Sequence, residues 1–295
     1  MSTILSVCII TKNEKENLKK CITALKEYPF EIIVVDTGST DGTQQMLNRV
    51  QVECFTWCND FAAARNFAIS KASNDMIMVI DSDEYLDQID VAALKHLIKE
   101  HPDQVGRIKR RNILHRNDVE QENREWINRI FSRKKYHYEG RIHEQIVVLD
   151  GSEEYETYQA PVTILHSGYD LPEEERQKKA KRNIELLDIE LRCLTVKHKV
   201  ILQNIRELGH DISSQICVEL PSRGMMMGGE PASILQKDNR IPYVLYQLGK
   251  SYYMAGDYRN ACTYVECGLY FDLNPKLEYV IDVVETYGYA LINSG

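Results

Sequence analysis

The chain has 295 residues, 43% of them hydrophobic and 27% charged, and a formal net charge of −8, enough to bury one full α/β core with length left for a second, smaller unit. No stretch approaches the about 20 apolar residues of a membrane helix, and Met1 to Ile10 lacks the basic start and cleavage site of a secretion signal, so no membrane span and a cytoplasmic location are expected. Overall acidity without a recognised nucleic-acid module argues against a nucleic-acid partner, and eight cysteines with no C-x-x-C spacing read as free, mostly buried thiols.

In chain order, Ser6-Val7-Cys8-Ile9-Ile10 reads as a strand ending at Thr11-Lys12-Asn13-Glu14, followed by Leu18, Ile22 and Leu25 at helical spacing. Glu31-Ile32-Ile33-Val34-Val35 repeats the pattern and ends at Asp36-Thr37-Gly38-Ser39-Thr40-Asp41-Gly42-Thr43, with Met46, Leu47 and Val50 again helical. Met76-Ile77-Met78-Val79-Ile80 is a third strand and stops at Asp81-Ser82-Asp83. Near-continuous apolar strands alternating with helices predict a parallel sheet buried on both faces, whose ligands bind at the carboxyl ends of the strands. All three polar tails lie there. Two carboxylates leaving one strand end together offer a divalent cation and a diphosphate a landing place. Asp36 suits a base or ribose, whereas Ser39, Thr40 and Asp41 read as helix-capping residues. Thr11 and Glu14 are divided between ligand contact and a plain capping box.

Four ordered segments then resemble a known family: Ser6 to Glu14; Val34-Val35-Asp36-Thr37-Gly38-Ser39-Thr40-Asp41-Gly42-Thr43; Trp57-Cys58-Asn59-Asp60-Phe61-Ala62-Ala63-Ala64-Arg65-Asn66; and Asp81-Ser82-Asp83-Glu84. They are similar to the signatures of family 2 inverting glycosyltransferases. Tyr138-Glu139-Gly140-Arg141-Ile142-His143-Glu144 and His166-Ser167-Gly168-Tyr169 resemble the subgroup with helical repeats that includes the sublancin-type peptide S-glycosyltransferases. The resemblance implies a GT-A fold, Rossmann-like, with a mostly parallel mixed sheet flanked by helices and followed by an α-helical repeat segment. It implies that Thr11, Glu14 and Asp36 touch the nucleoside, that Asp60 and Arg65 line the sugar-diphosphate pocket, that Asp81 faces the ribose, and that Asp83 ligates Mg²⁺ or Mn²⁺, with His166 either completing the coordination or acting as a structural hydrogen-bonding group.

Inversion is a single displacement, so it needs a base on the acceptor side. Many relatives use a Glu-Asp pair where this chain has His143-Glu144; Glu144 is the expected base, with His143 and Glu139 as alternatives. Between Arg107 and Arg141 eleven basic residues face five acids, which reads either as a field aimed at an anionic ligand or as a solvated charged face.

Past Tyr169 the composition becomes helical. Pro172 and three acids open a helix continued by Ile184, Leu187 and Leu191. In residues 242–275, Leu248-Gly249, Tyr252, Gly256, Tyr258 and Ala261 fall where a tetratricopeptide repeat places its packing residues and turn, and Tyr287-Gly288 opens a second copy. One such repeat cannot bury its own face, so the chain is expected to be a fragment of a longer protein. The domain reading is 1–170 catalytic, 171–240 a helical connector with an irregular insertion that includes a helix over Val200 to Leu208 and the Met225-Met226-Met227 loop, and 241–295 helical repeats. Functionally this predicts an enzyme moving a sugar from a nucleotide donor, UDP-linked in the first instance, to a polypeptide or glycan acceptor, with the repeats offering a route to homo-oligomers. The alternatives are a repeat-containing binding protein with a degenerate transferase half and, less well matched for want of a Gly-rich, Lys-terminated loop, a nucleotidyltransferase.

Overall fold

Residues Leu5–Thr11 form strand β1, buried at every position, because side chains alternate between two covered faces of the sheet. Leu5, Val7 and Ile9 join Leu18, Ile22 and Leu25 of helix α1 (Lys15–Leu25) and Leu94 of α4 (Val91–Glu100) in one core. Cys8 and Ile10 join Ala62, Ala64, Ala68 and Ile69 of α3 (Phe61–Ser70) in the other. In a computed structural model these elements are described over residues 3–46, 50–116, 119–152, 154–166, 173–197, 240–269 and 279–294.

The chain divides into two units, Met1–Leu171 and Pro172–Gly295. The first holds an eight-stranded mixed sheet in the order β3-β2-β1-β4-β7-β6-β10-β5, with β2 at Phe30–Asp36, β3 at Gln51–Cys54, β4 at Met76–Val79, β5 at Glu84–Ile89, β6 at Val105–Arg116, β7 at Val119–Ser132 and β10 at Thr157–His166. β3, β2, β1 and β4 run parallel, β7 is antiparallel to β4 and β6, and β10 is parallel to β6 and antiparallel to β5. A one-turn helix α2 (Thr43–Met46) follows β2, and the short strands β8 (Tyr136–Glu139) and β9 (Gln145–Val148) form a separate hairpin. This is the mixed, mostly parallel sheet flanked by helices that the sequence predicts.

The second unit contains α5 (Glu173–Lys197), α6 (Arg240–Met254), α7 (Tyr258–Leu269) and α8 (Tyr279–Ser294). Three acids sit in the first turn of α5, where they complement the helix dipole. α6 and α7 are joined through Gly256 at φ +82°. A Cβ on Gly249 would stand 2.6 Å from Val265 Cγ2 and 3.2 Å from the Ala261 carbonyl oxygen, so the Leu248-Gly249 slot of the repeat pattern is set by close helix approach. Tyr252 and Tyr264 stack at 5.1 Å between ring centroids. The Val200 to Leu208 helix, the methionine triplet, Cys217 and Ser167 to Pro172 lie outside the described residues. No helix among the described residues is long and apolar enough to cross a membrane.

Candidate active site at the carboxyl ends of the strands

The sheet register brings the three polar tails to one edge. Thr11 lies opposite Asp36 across β1 and β2, and Cys8 lies opposite Val79 across β1 and β4, so Thr11, Asp36 and the Asp81–Asp83 tail leave the sheet side by side. The first two tails are bound into one rim. Ser39 Oγ accepts from the Asn13 backbone N–H at 2.9 Å, the Thr40 N–H donates to Asn13 Oδ1 at 2.7 Å, and the Lys15 N–H donates to Asp41 Oδ2 at 3.2 Å. Asp41 also receives the N–H of Thr43, the first residue of the helix that follows, at 3.0 Å, whereas Ser39 and Thr40 bond Asp36 and Asn13. The Thr11–Glu14 capping box does not form: Thr11 is the last residue of β1 and α1 begins at Lys15, so Glu14 itself is the N-cap and makes no side-chain cap bond. Glu14 instead accepts from Asn17 Nδ2 at 2.7 Å.

Asp36 is buried and turned onto its own loop, accepting from the Gly38 N–H at 3.2 Å, the Ser39 N–H at 3.1 Å, the Ser39 hydroxyl and Gln44. Burial would raise its pKa, but the hydrogen bonds from Ser39, Gln44 and Gly38 outweigh that and hold it below the usual carboxylate range.

Helix α3 organises the opposite side. Asp60 is its N-cap and accepts the Ala63 N–H at 2.8 Å. Asn66 receives the Tyr138 N–H at 2.9 Å and donates to the Tyr138 carbonyl at 2.8 Å, while the Phe61 N–H donates to the Arg141 carbonyl at 2.8 Å. The β8–β9 hairpin, with Glu139, His143 and Glu144 on or beside its connection, is thereby fixed to α3. Buried Arg65 then spans two carboxylates: Nη2 donates to Asp81 Oδ1 at 2.7 Å and Nε to Glu144 Oε1. Arg129 on β7 takes the second Asp81 oxygen at 2.9 Å and reaches Glu84, wholly buried, at 3.1 Å. Burial works against ionising Asp81, yet the two guanidiniums prevail and hold its carboxyl far below the usual range. Sequence reasoning placed Arg65, Asp81 and Glu144 in the site and missed Asn66, Glu84 and Arg129.

From Glu84 the alternation of charge continues: Arg110 pairs with Glu84 at 3.3 Å and with Glu125 at 2.9 Å. Arg111 pairs with Asp87 and Glu122, Arg124 with Glu122, Lys134 with Asp75, and Lys135 with Asp103. Much of the basic run is therefore neutralised by neighbouring acids and is neither a bare field nor a merely solvated face; the Arg116 side chain lies outside the described residues.

At the end of this chain of charges, His166 Nε2 stands 3.3 Å from Asp83 Oδ2 and its Nδ1 is 2.9 Å from Asn112 Oδ1. Among the described residues no three His, Cys, Asp or Glu side chains gather as a metal cage. A carboxylate with an imidazole nevertheless fits a divalent cation that completes its shell with substrate phosphates and water, as such ions do in nucleotide sites.

Two further features mark this edge. Thr11 Oγ1, Arg65 Nη1 and the Tyr138 hydroxyl are buried polar atoms without a hydrogen-bond partner, each an unfavourable state worth about 1–3 kcal/mol. The Tyr138 ring lies 5.6 Å from the Arg65 guanidinium carbon, and burial pushes its phenol up to about 12. Among the described residues, the non-glycine residues with left-handed backbone are Asn13 (φ 56°), Asn59 (φ 59°) and His143 (φ 51°), in the loops that carry Glu14, Asp60 and Glu144. Such conformations persist where the surroundings over-determine them, and they concentrate at ligand sites.

The sequence pattern of the family described as "Glycosyl transferase family 2" matches residues 6–153, half of the chain. A TPR repeat-containing protein of Synechococcus elongatus is 41% identical over 83 residues, 28% of this chain and 21% of that protein. The SPbeta prophage-derived glycosyltransferase SunS of Bacillus subtilis is 27% identical over 198 residues, 62% of this chain and 44% of that protein. The lipopolysaccharide core biosynthesis glycosyltransferase LpsC of Rhizobium meliloti is 35% identical over 155 residues, 48% of this chain and 57% of that protein. The matches thus span less than two thirds of the length of each of these relatives.

Proposed function

The chain belongs to glycosyl transferase family 2, and on that premise we propose that it is an inverting glycosyltransferase that moves a sugar from a nucleotide-sugar donor to a polypeptide or glycan acceptor. The observation that carries this reading is the arrangement of Arg65, which holds the strand-end Asp81 and the hairpin Glu144 on two sides of one guanidinium and keeps Nη1 without a partner. In this proposal Nη1 and Thr11 Oγ1 receive donor oxygens, whose hydrogen bonds relieve two buried unsatisfied groups at the moment of binding. The rim formed by Asn13, Asp36 and Ser39 supports the nucleoside, with Glu14 beside it, and Asp60 with Arg141, 4.0 Å apart, closes the sugar side.

Glu144 is the proposed base. It takes the proton of an acceptor hydroxyl or thiol as that atom attacks the anomeric carbon, and the bond to the diphosphate breaks with its electron pair on the leaving oxygen. The contact with Arg65 Nε orients Glu144, and as the acceptor proton arrives the guanidinium still has Asp81 as a counter-charge. Asp83 and His166 would hold Mg²⁺ or Mn²⁺, which when bound neutralises charge on a departing diphosphate. The helical unit favours a polypeptide acceptor, since stacked helical hairpins form extended peptide-binding surfaces.

The test is to incubate the protein with UDP- and GDP-sugars and measure released nucleoside diphosphate with Mn²⁺ and again with EDTA. Release that requires the cation supports the proposal. No release from any common donor contradicts it and leaves a repeat-containing binding protein with a degenerate transferase half.

A further inference from the structure

We infer that Glu125 and Asn112 are positioning residues that lock His166 in the Nδ1–H tautomer, so that the ring presents the Nε2 lone pair to Asp83 and makes the pair selective for a cation. The inference rests on the reading of Asp83 and His166 as a cation site, and it assigns a task to residues that neither the motifs nor the donor chemistry requires.

The sheet register builds the relay. Arg110 on β6 lies directly opposite Glu125 on β7, Asn112 lies two residues further along β6, and His166 on β10 lies opposite Asn112. Cross-strand and diagonal neighbours on one face are within reach of long side chains. Arg110 donates to Glu125 Oε1 through Nε at 3.1 Å and Nη2 at 2.9 Å, and Asn112 Nδ2 donates to the same oxygen at 2.6 Å. An ionised carboxylate only accepts hydrogen bonds. The nitrogen of the Asn112 amide must therefore face Glu125, and its oxygen must face His166.

That oxygen, too, only accepts. At 2.9 Å from His166 Nδ1 it requires the proton on Nδ1, so Nε2 is the ring nitrogen left to bind a cation. Nε2 faces Asp83 Oδ2 at 3.3 Å, and a positive charge between them, a proton on Nε2 or a metal ion that displaces it, is the favourable occupant. Asn112 is 2% exposed, which prevents water from substituting for either of its partners. Hydrogen-bond partners behind a metal-binding histidine fix its tautomer and orientation in this way, and their loss typically costs about 10–100-fold in metal affinity.

The decisive variant is Glu125→Leu, which removes the acceptor that holds the Asn112 amide nitrogen while Arg110 keeps Glu84 as a partner. Asn112 is then free to turn over, offer its own nitrogen to Nδ1 and move the proton to Nε2, where it points at Asp83 and opposes a cation. Imidazole ¹⁵N NMR of the full chain without metal, at alkaline pH, reads the tautomer directly. The wild type should show His166 as Nδ1–H, and Glu125→Leu should move the population toward Nε2–H; an Nε2–H wild type, or a variant spectrum identical to it, overturns the inference. Mn²⁺ binding in the presence of UDP, followed by the EPR signal of the free ion, separates the two levels. Asp83→Asn should abolish binding and Glu125→Leu should weaken it about tenfold. Loss in Asp83→Asn with none in Glu125→Leu overturns the positioning role and leaves the cation site standing, whereas binding that survives Asp83→Asn rejects the cation site whatever the tautomer. Asn112→Leu provides a second removal of the lock, with the same expected outcomes.

Discussion

Asp36 ends β2 and Asp81 follows β4, the two strands that flank β1, and they differ in what holds them. Asp36 is served by neutral donors no more than eight residues away. Asp81 is held by two guanidiniums, Arg65 at a separation of 16 residues and Arg129 at 48, and Arg65 in turn binds Glu144 at 79. The first is a self-contained turn whose acceptor capacity is filled by its own loop. The second exists only when α3, the sheet and the β8–β9 hairpin have assembled, and it retains a guanidinium nitrogen without a partner. A carboxylate at a strand end is thus held by its own loop in one place and joins distant elements in the other, and what separates them is the range of their partners.

The comparison can be broken most forcefully at Arg65. Arg65→Leu strands Asp81 and Glu144 without their shared cation, so we expect a loss of about 3–5 kcal/mol in chemical denaturation and no detectable transfer; a variant with wild-type stability would show that the two acids do not depend on it. Glu144→Gln should lower turnover by about 10²–10⁴-fold while leaving donor affinity little changed, because a base acts in the transition state. Equal losses in turnover and affinity, measured by steady-state kinetics and calorimetry, would instead assign Glu144 to binding.

Asp36→Asn should cost about 1.5–3 kcal/mol at neutral pH through weakened charge-assisted bonds. Its pH dependence has a defined sign. The Asp36 pKa is depressed in the folded state, so its contribution is fully present above the unfolded value near about 3.9 and disappears as pH falls through the folded value. Urea titrations at decreasing pH should therefore show a shallower acid loss in Asp36→Asn than in the wild type. Gly249→Ala places a Cβ against Val265 and the Ala261 carbonyl, and overpacking of that kind costs about 1–3 kcal/mol; it should lower the thermal midpoint of the helical unit and leave donor turnover by Met1–Leu171 unchanged.

What could be read from the sequence follows the same division. β1, β2 and β4 announce themselves as apolar runs, and their acidic tails fall at one rim because parallel register leaves no other place for them. Leu248-Gly249 and Gly256 are equally legible, since a close helix approach and a left-handed turn restrict the residue type at those positions. The partners of the acids were harder to see. Arg129 on β7 and Glu84 at the start of β5 are 45 residues apart and meet only in the assembled fold, and a basic run read along the chain does not reveal that Glu122 and Glu125 on the partner strand neutralise Arg111 and Arg110. One signal was available. Two charged segments separated by a few polar residues form a hairpin in which opposite charges stand across from each other, and that pattern, applied to residues 109–125, predicts the Arg110–Glu125 pair.

The most direct test is a crystal structure of this chain with a nucleoside diphosphate and Mn²⁺. The account predicts a diphosphate oxygen within hydrogen-bond distance of Arg65 Nη1, with Asp83 and His166 on the metal and Glu144 facing the vacant sugar position. A nucleotide bound elsewhere, or bound here with Arg65 Nη1 still without a partner and the metal away from Asp83, would contradict it.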